Sequence, residues 1–99
     1  MPAYVIVDVE IEDAALYEEY RRKVNAVNAL YGGRFIVRGG RIEGKEGGWT
    51  PKRLAIVEFP TMEQALKWYD SPEYRPLLEL RERASTARVV IVEGLPGPE

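Results

Sequence analysis

Three strand-like segments of this 99-residue chain are apolar on both of their alternating faces, and few small folds can bury a sheet of that kind. Tyr4 to Ile11 sets Val5, Val7, Val9 and Ile11 on one parity and Tyr4, Ile6, Asp8 and Glu10 on the other, the two-residue period of a strand. Leu54 and Ile56 stand against Val57 and Phe59, and Val90 and Val92 against Val89 and Ile91. A sheet with one face in water would alternate apolar and polar residues more cleanly. A chain this short supports a single core, so its own helices shield one face only. The other face calls for a cover, and a second copy packed face to face supplies it. The alternative is a monomer whose tail and long loop fold back over the sheet.

Between the strands the pattern becomes helical. Asp13 offers an N-cap, and Leu16, Tyr20, Val24, Val27 and Tyr31 recur at three- and four-residue steps before Gly32 and Gly33 supply a left-handed stop. Arg34 to Ile42 reads as a second strand, with Gly39 and Gly40 predicting a bulge in its middle. Gly44 to Pro51 reads as an exposed loop, and Leu54 to Phe59 as the third strand ended by Pro60. Thr61 and Gln64 form a capping box for a helix carrying Met62, Ala65, Leu66 and Tyr69. Ser71 can cap a further helix beginning at Pro72, with helical spacing from Leu77 to Ala84 and a fourth strand from Arg88 to Glu93. The order is βαββαβ: an α+β, ferredoxin-like arrangement with both helical layers on one face of a four-stranded antiparallel sheet. A single domain over residues 1–94 is expected, followed by a flexible C-terminal tail over 95–99.

Composition removes several functions. The chain has no cysteine and no histidine, which excludes disulfides, thiol nucleophiles and thiolate metal sites, and takes away the commonest general base, zinc ligand and haem ligand. No cofactor and no metal are expected. The net charge of −2 argues against a nucleic-acid partner, which needs a basic surface. Arg21, Arg22 and Lys23 follow Glu18 and Glu19 and read as a solvated helix face of ion pairs. No apolar run approaches the roughly 20 residues that span a bilayer, and Met1 leads straight into a strand without a signal-peptide pattern, so no membrane partner and a cytoplasmic location are expected.

Several segments resemble one bacterial family. They are the opening from Tyr4 through Asp13 to Tyr20 and Arg21, the Tyr31-Gly32-Gly33-Arg34 turn, Val37-Arg38-Gly39-Gly40, Glu58-Phe59-Pro60, and Trp68 to Tyr74 with Leu77 and Arg81. The family is domain of unknown function 1330, within the dimeric α/β-barrel superfamily, and the resemblance runs over nearly the whole chain. It implies a ferredoxin-like fold and a homodimer formed through the sheet face. The wider superfamily is similar in fold to cofactor-free monooxygenases of antibiotic biosynthesis, muconolactone isomerases, haem-dependent chlorite dismutases and small stress-induced proteins. Fold alone does not choose among them. Where those relatives rely on a histidine this sequence departs from them, and the haem branch is the first to fall.

Asp8, Arg38 and Glu58 interrupt three strands with charge. Buried ions need partners, so an arginine between carboxylates on neighbouring strands makes a sensible cluster. If Arg38 and Glu58 face the same side, they can bind an anionic or phenolic ligand, with Glu58 the one candidate catalytic proton acceptor once desolvation raises its pKa. A structural ion pair at the sheet edge or dimer seam is the commoner use of such residues. Tyr20, Trp68, Tyr69 and Tyr74 form a second group, either lining a small-molecule pocket between helices and sheet or anchoring the core. Trp49 in the glycine-rich loop reads as an interface plug or a lid. The expected function is a small homodimer binding an aromatic or carboxylate-bearing molecule in a pocket lined by Tyr20, Arg38, Glu58 and Tyr74. A cofactor-independent oxygenase or isomerase is one alternative, and a non-catalytic stress-response binding module is another.

Overall fold

The computed structural model describes residues 1–96. Its elements in chain order are β1 (Ala3–Ile11), α1 (Ala14–Leu30), β2 (Arg34–Arg38), β3 (Leu54–Phe59), α2 (Met62–Tyr69), α3 (Arg75–Ala84) and β4 (Ser85–Glu93). The strands form one antiparallel sheet in the order β2-β3-β1-β4, the ferredoxin-like arrangement. Residues 97–99, part of the expected C-terminal tail, lie outside the described residues. At the near end of that segment the Gly94 N–H still donates to the Pro2 carbonyl at 2.8 Å.

Local chemistry explains each boundary. Asp13 Oδ1 accepts from the Leu16 N–H at 3.0 Å and opens α1; Gly32, at φ +81°, closes it in the left-handed region that glycine reaches without strain. Thr61 Oγ1 caps α2 by accepting from the Gln64 N–H at 3.1 Å. The Gln64 amide then donates to the Tyr31 carbonyl at 3.3 Å instead of back to Thr61, tying α2 to the end of α1. Ser71 does not open a helix at Pro72. Its hydroxyl donates to the Trp68 carbonyl and accepts from the Tyr74 N–H, so residues 72–74 form a turn and α3 starts at Arg75, with Pro76 in a first-turn position where its missing N–H costs nothing.

β4 begins at Ser85, three residues earlier than the sequence pattern predicts, directly after α3. The Ser85 hydroxyl closes that helix by donating to the Arg81 carbonyl at 2.7 Å. β2 ends at Arg38, short of the predicted Ile42, because Gly39 turns the chain at φ +69°. The irregularity in this strand is at Ile36 and not at the Gly39-Gly40 pair.

The core lies between the helices and the sheet face carrying Ala3, Val5, Val9, Val57 and Phe59. From α1 it takes Tyr17, Tyr20 and Val24, and from α3 Leu77, Leu78 and Ala84. Two predicted stripes shift. On α1 the fully buried row is Tyr17, Tyr20, Val24 and Asn28, with Leu16 and Val27 on its flank. On α2 the buried positions are Ala65 and Trp68, while Leu66 is exposed. The opposite sheet face bears Tyr4, Ile6, Leu54, Ile56, Val90 and Val92 and has no helix over it; Val90 is 59% and Val92 45% exposed.

Candidate functional site

Alternation along a regular strand would put Arg34, Ile36 and Arg38 on one face. The register prevents this: Arg34 pairs with Glu58 and Phe35 with Val57, but Val37 pairs with Ile56 and Arg38 with Ala55, leaving Ile36 as the extra residue of a β-bulge. Every side chain after the bulge changes face. Arg38 therefore turns toward the helices, and Glu58 stays on the open face.

The predicted Arg38–Glu58 cluster is thus not formed. Glu58 accepts from Arg34 Nε at 3.0 Å and Nη2 at 2.8 Å on the open face, so it is removed from the cavity side and from any role as a base there. Asp8 also faces outward, accepting from Arg88 Nη2 at 2.8 Å and from the Trp49 indole at 3.3 Å. Trp49 lies against the open sheet face. Tyr20 and Tyr74 do come together in the interior, hydroxyl to hydroxyl at 3.0 Å. Burial, then Tyr74, holds the Tyr20 phenol well above its ordinary pKa, so it remains protonated.

Arg38, Tyr20 and Trp68 border a small, partly open cavity of about 30 Å³ between α1 and the sheet, whereas Tyr74, expected in the lining, stands behind Tyr20 and Trp68 and is not part of it. The cavity walls are Tyr17, Tyr20, Val24, Phe35 and Trp68. Trp68 is held by its neighbours, 5.2 Å from the Phe59 ring centroid and 4.1 Å from that of Tyr74. The polar lining consists of Arg21, Arg38, Arg53, Arg81 and Asn28, with no carboxylate. Arg21 and the half-buried Arg38 and Arg53 form the outer rim; Asn28 and Arg81 are buried.

Each rim arginine has a specific seat. Arg38 lies 4.3 Å above the Phe35 ring and donates from Nη2 to the Arg21 carbonyl at 2.8 Å. Arg53 lies 5.8 Å from the Tyr17 ring centroid. Its guanidinium occupies the space that a Cβ on Gly39 would need, so this glycine serves both the turn and the passage of Arg53. Burial, followed by the Arg21 and Arg53 charges, lowers the pKa of Arg38.

The polar atoms here are unusually poor in partners. Among the described residues, the buried side-chain atoms without a hydrogen bond inside the protein are Asn28 Nδ2 and Oδ1, Arg53 Nε, Trp68 Nε1 and Arg81 Nε. All belong to side chains lining this one cavity. Native interiors leave few such groups, because each costs about 1–3 kcal/mol. Asn28, Arg53 and Arg81 were absent from the sequence-derived site. Helical spacing carried the signal for two of them: Asn28 follows Val24 by four positions, and Arg81 lies between Leu77 and Ala84 on the buried face of α3.

Solved structures share the fold at low identity. A protein of unknown function from Rhodopseudomonas palustris, RPA0582, superposes with a TM-score of 0.75 at 20% identity, covering 97% of this chain and 84% of its own. SnoaB, a cofactor-independent oxygenase from Streptomyces nogalater, gives 0.69 at 14% identity over 99% and 98%. A dimeric protein of unknown function and ferredoxin-like fold from Bacteroides fragilis gives 0.62 at 15% identity over 94% and 96%. No curated protein sequence matches the chain. No helix among the described residues is long and apolar enough to cross a membrane. The model of domain of unknown function 1330 matches residues 2–95, and the chain belongs to that family.

Proposed function

We propose that this protein is a cytoplasmic homodimer that binds a small organic molecule in the cavity between α1 and the sheet. One observation carries the binding site: the buried polar atoms that lack a partner converge on a single aromatic-walled cavity. Such atoms are costly unless something outside the chain satisfies them. At about 30 Å³ the cavity has room for one or two waters. Arg38 and Arg53, long side chains that are only half-buried, narrow its mouth, and their displacement is what admits a larger guest.

The second subunit is argued from the open sheet face. Among the described residues no helix covers Ile6, Leu54, Ile56, Val90 and Val92, and Trp49 meets the face at Asp8, while the Arg34–Glu58 and Arg88–Asp8 pairs sit on the same face as polar markers of register. The fold-mate from Bacteroides fragilis described as dimeric supports this assembly.

Glu58, the candidate base, is on the far face, so the oxygenase or isomerase alternative has no carboxylate in the cavity to abstract a proton. A binding role needs none. The test is a thermal-shift panel of phenols, quinones and small carboxylates, since a ligand that binds only the folded state raises its apparent stability. A hit whose shift disappears in Trp68→Phe or Asn28→Leu supports the cavity site. A panel without any hit counts against it.

A further inference from the structure

We infer that the molecule this cavity takes is an organic carboxylate, its charged group gripped by Arg38 and Arg53 and its apolar body lying against Tyr17 and Trp68. This rests on the cavity being a ligand site and adds the charge and shape of the ligand.

The charge is read from a local imbalance. The chain carries a net charge of −2, yet the cavity lining contains four arginines and no aspartate or glutamate. Of the four, Arg21 is paired on the exposed face of α1 with Glu18 at 3.4 Å; the other carboxylates that form ion pairs are spent elsewhere: Glu58 on Arg34, Asp8 on Arg88, Asp70 on Arg75, Glu43 on Arg41 and Glu19 on Lys23. Among the described residues, Arg38, Arg53 and Arg81 make no salt bridge. Guanidinium groups gathered around an apolar cavity repel one another and lose hydration, so the arrangement is most stable when an anion enters.

The shape is read from which donor is idle. Of the two gripping arginines, Arg53 leaves Nε without a partner, as does the deeper Arg81, while Arg38 is held at the mouth through its Nη2 on the Arg21 carbonyl. Nε and the adjacent Nη present two parallel N–H groups, the side-on fork that matches the two oxygens of a planar carboxylate. A phosphate would bring more charge and a larger hydration shell, and the walls offered by Tyr17, Phe35 and Trp68 compensate neither. A flat, singly charged aromatic acid fits the mixture of forks and rings.

The experiment is calorimetric titration of the full chain with benzoate and 4-hydroxybenzoate, with neutral benzamide, and with inorganic phosphate. The expected result is that at least one aromatic acid binds ten times or more tighter than benzamide and tighter than phosphate. Arg38→Gln and Arg53→Gln, at half-buried positions outside the apolar core, should each weaken the acid at least fivefold while changing benzamide less than twofold. Benzamide binding as tightly as the acids would overturn the carboxylate assignment and leave the ligand site standing. Tighter binding of phosphate would overturn it also. If neither acids nor benzamide bind, the ligand site itself fails and the carboxylate falls with it.

Discussion

Arg34 and Arg38 lie four residues apart on β2 and point to opposite faces of the sheet, because Ile36 bulges out between them. The displacement separates two jobs. Arg34 pairs with Glu58 on the open face, and Arg38 joins the cavity.

It follows that Glu58→Gln leaves ligand affinity unchanged within about twofold. In the single chain the Arg34 side chain is 73% exposed, so loss of the pair costs the monomer no more than about 1 kcal/mol by chemical denaturation. A tenfold loss of affinity would return Glu58 to the site.

Asn28 is fully buried with both ends of its amide unpaired. Leucine has the same branching and number of heavy atoms, with no polar ones, and the adjoining cavity takes up its extra volume, so Asn28→Leu is expected to stabilise the free protein by about 1–2 kcal/mol in urea unfolding. The same change should weaken ligand binding, the pattern of a residue kept for function at the expense of stability. A loss of stability instead would mean that Asn28 is satisfied within the native core.

The Tyr20 phenol gives a pH signature. Burial, then Tyr74, raises its pKa in the folded state above the value of an unfolded chain. Above pH about 10 the unfolded chain releases this proton while the native state retains it. Stability is therefore fully present below that pH and falls as pH rises toward the folded-state value. Urea midpoints measured from pH 8 to 11 should decline more steeply for the wild type than for Tyr20→Phe. Identical slopes would show that Tyr20 ionises freely.

Val90, 59% exposed in the single chain, projects from the middle of β4 on the open face. If a second copy covers that face, Val90→Asp places a charge in an apolar interface and should shift sedimentation from dimer to monomer at micromolar concentration. An unchanged sedimentation profile would put the interface elsewhere.

Much of the fold was legible in the residues. Strand alternation, the Asp13 and Thr61 caps and the Gly32 stop report short-range physics that tertiary packing does not override. The site was less legible for a specific reason. A bulge at Ile36 carries no distinctive residue, and the glycines that invited one, Gly39 and Gly40, end the strand instead. Without the bulge Arg38 would share the face of Arg34, which pairs with Glu58, so the condition that Arg38 and Glu58 face the same side fails at Ile36. Arg53 was passed over as a residue preceding a strand, although it shares the parity of Ala55 and Val57. Asn28 and Arg81 were missed because a search for apolar stripes discards polar residues, and the polar residue on a buried stripe is the one that marks a site.

The two tryptophans report on opposite sides of the sheet, since Trp68 lines the cavity and Trp49 lies on the other face against Asp8. Nitrogen-15 spectra of the protein, recorded with increasing 4-hydroxybenzoate, resolve both indole N–H signals. Binding in the cavity should move the Trp68 indole together with the Arg53 and Arg81 Nε–H signals and leave Trp49 in place. A titration that shifts Trp49 while Trp68 stays fixed would place the ligand on the open sheet face and contradict the account.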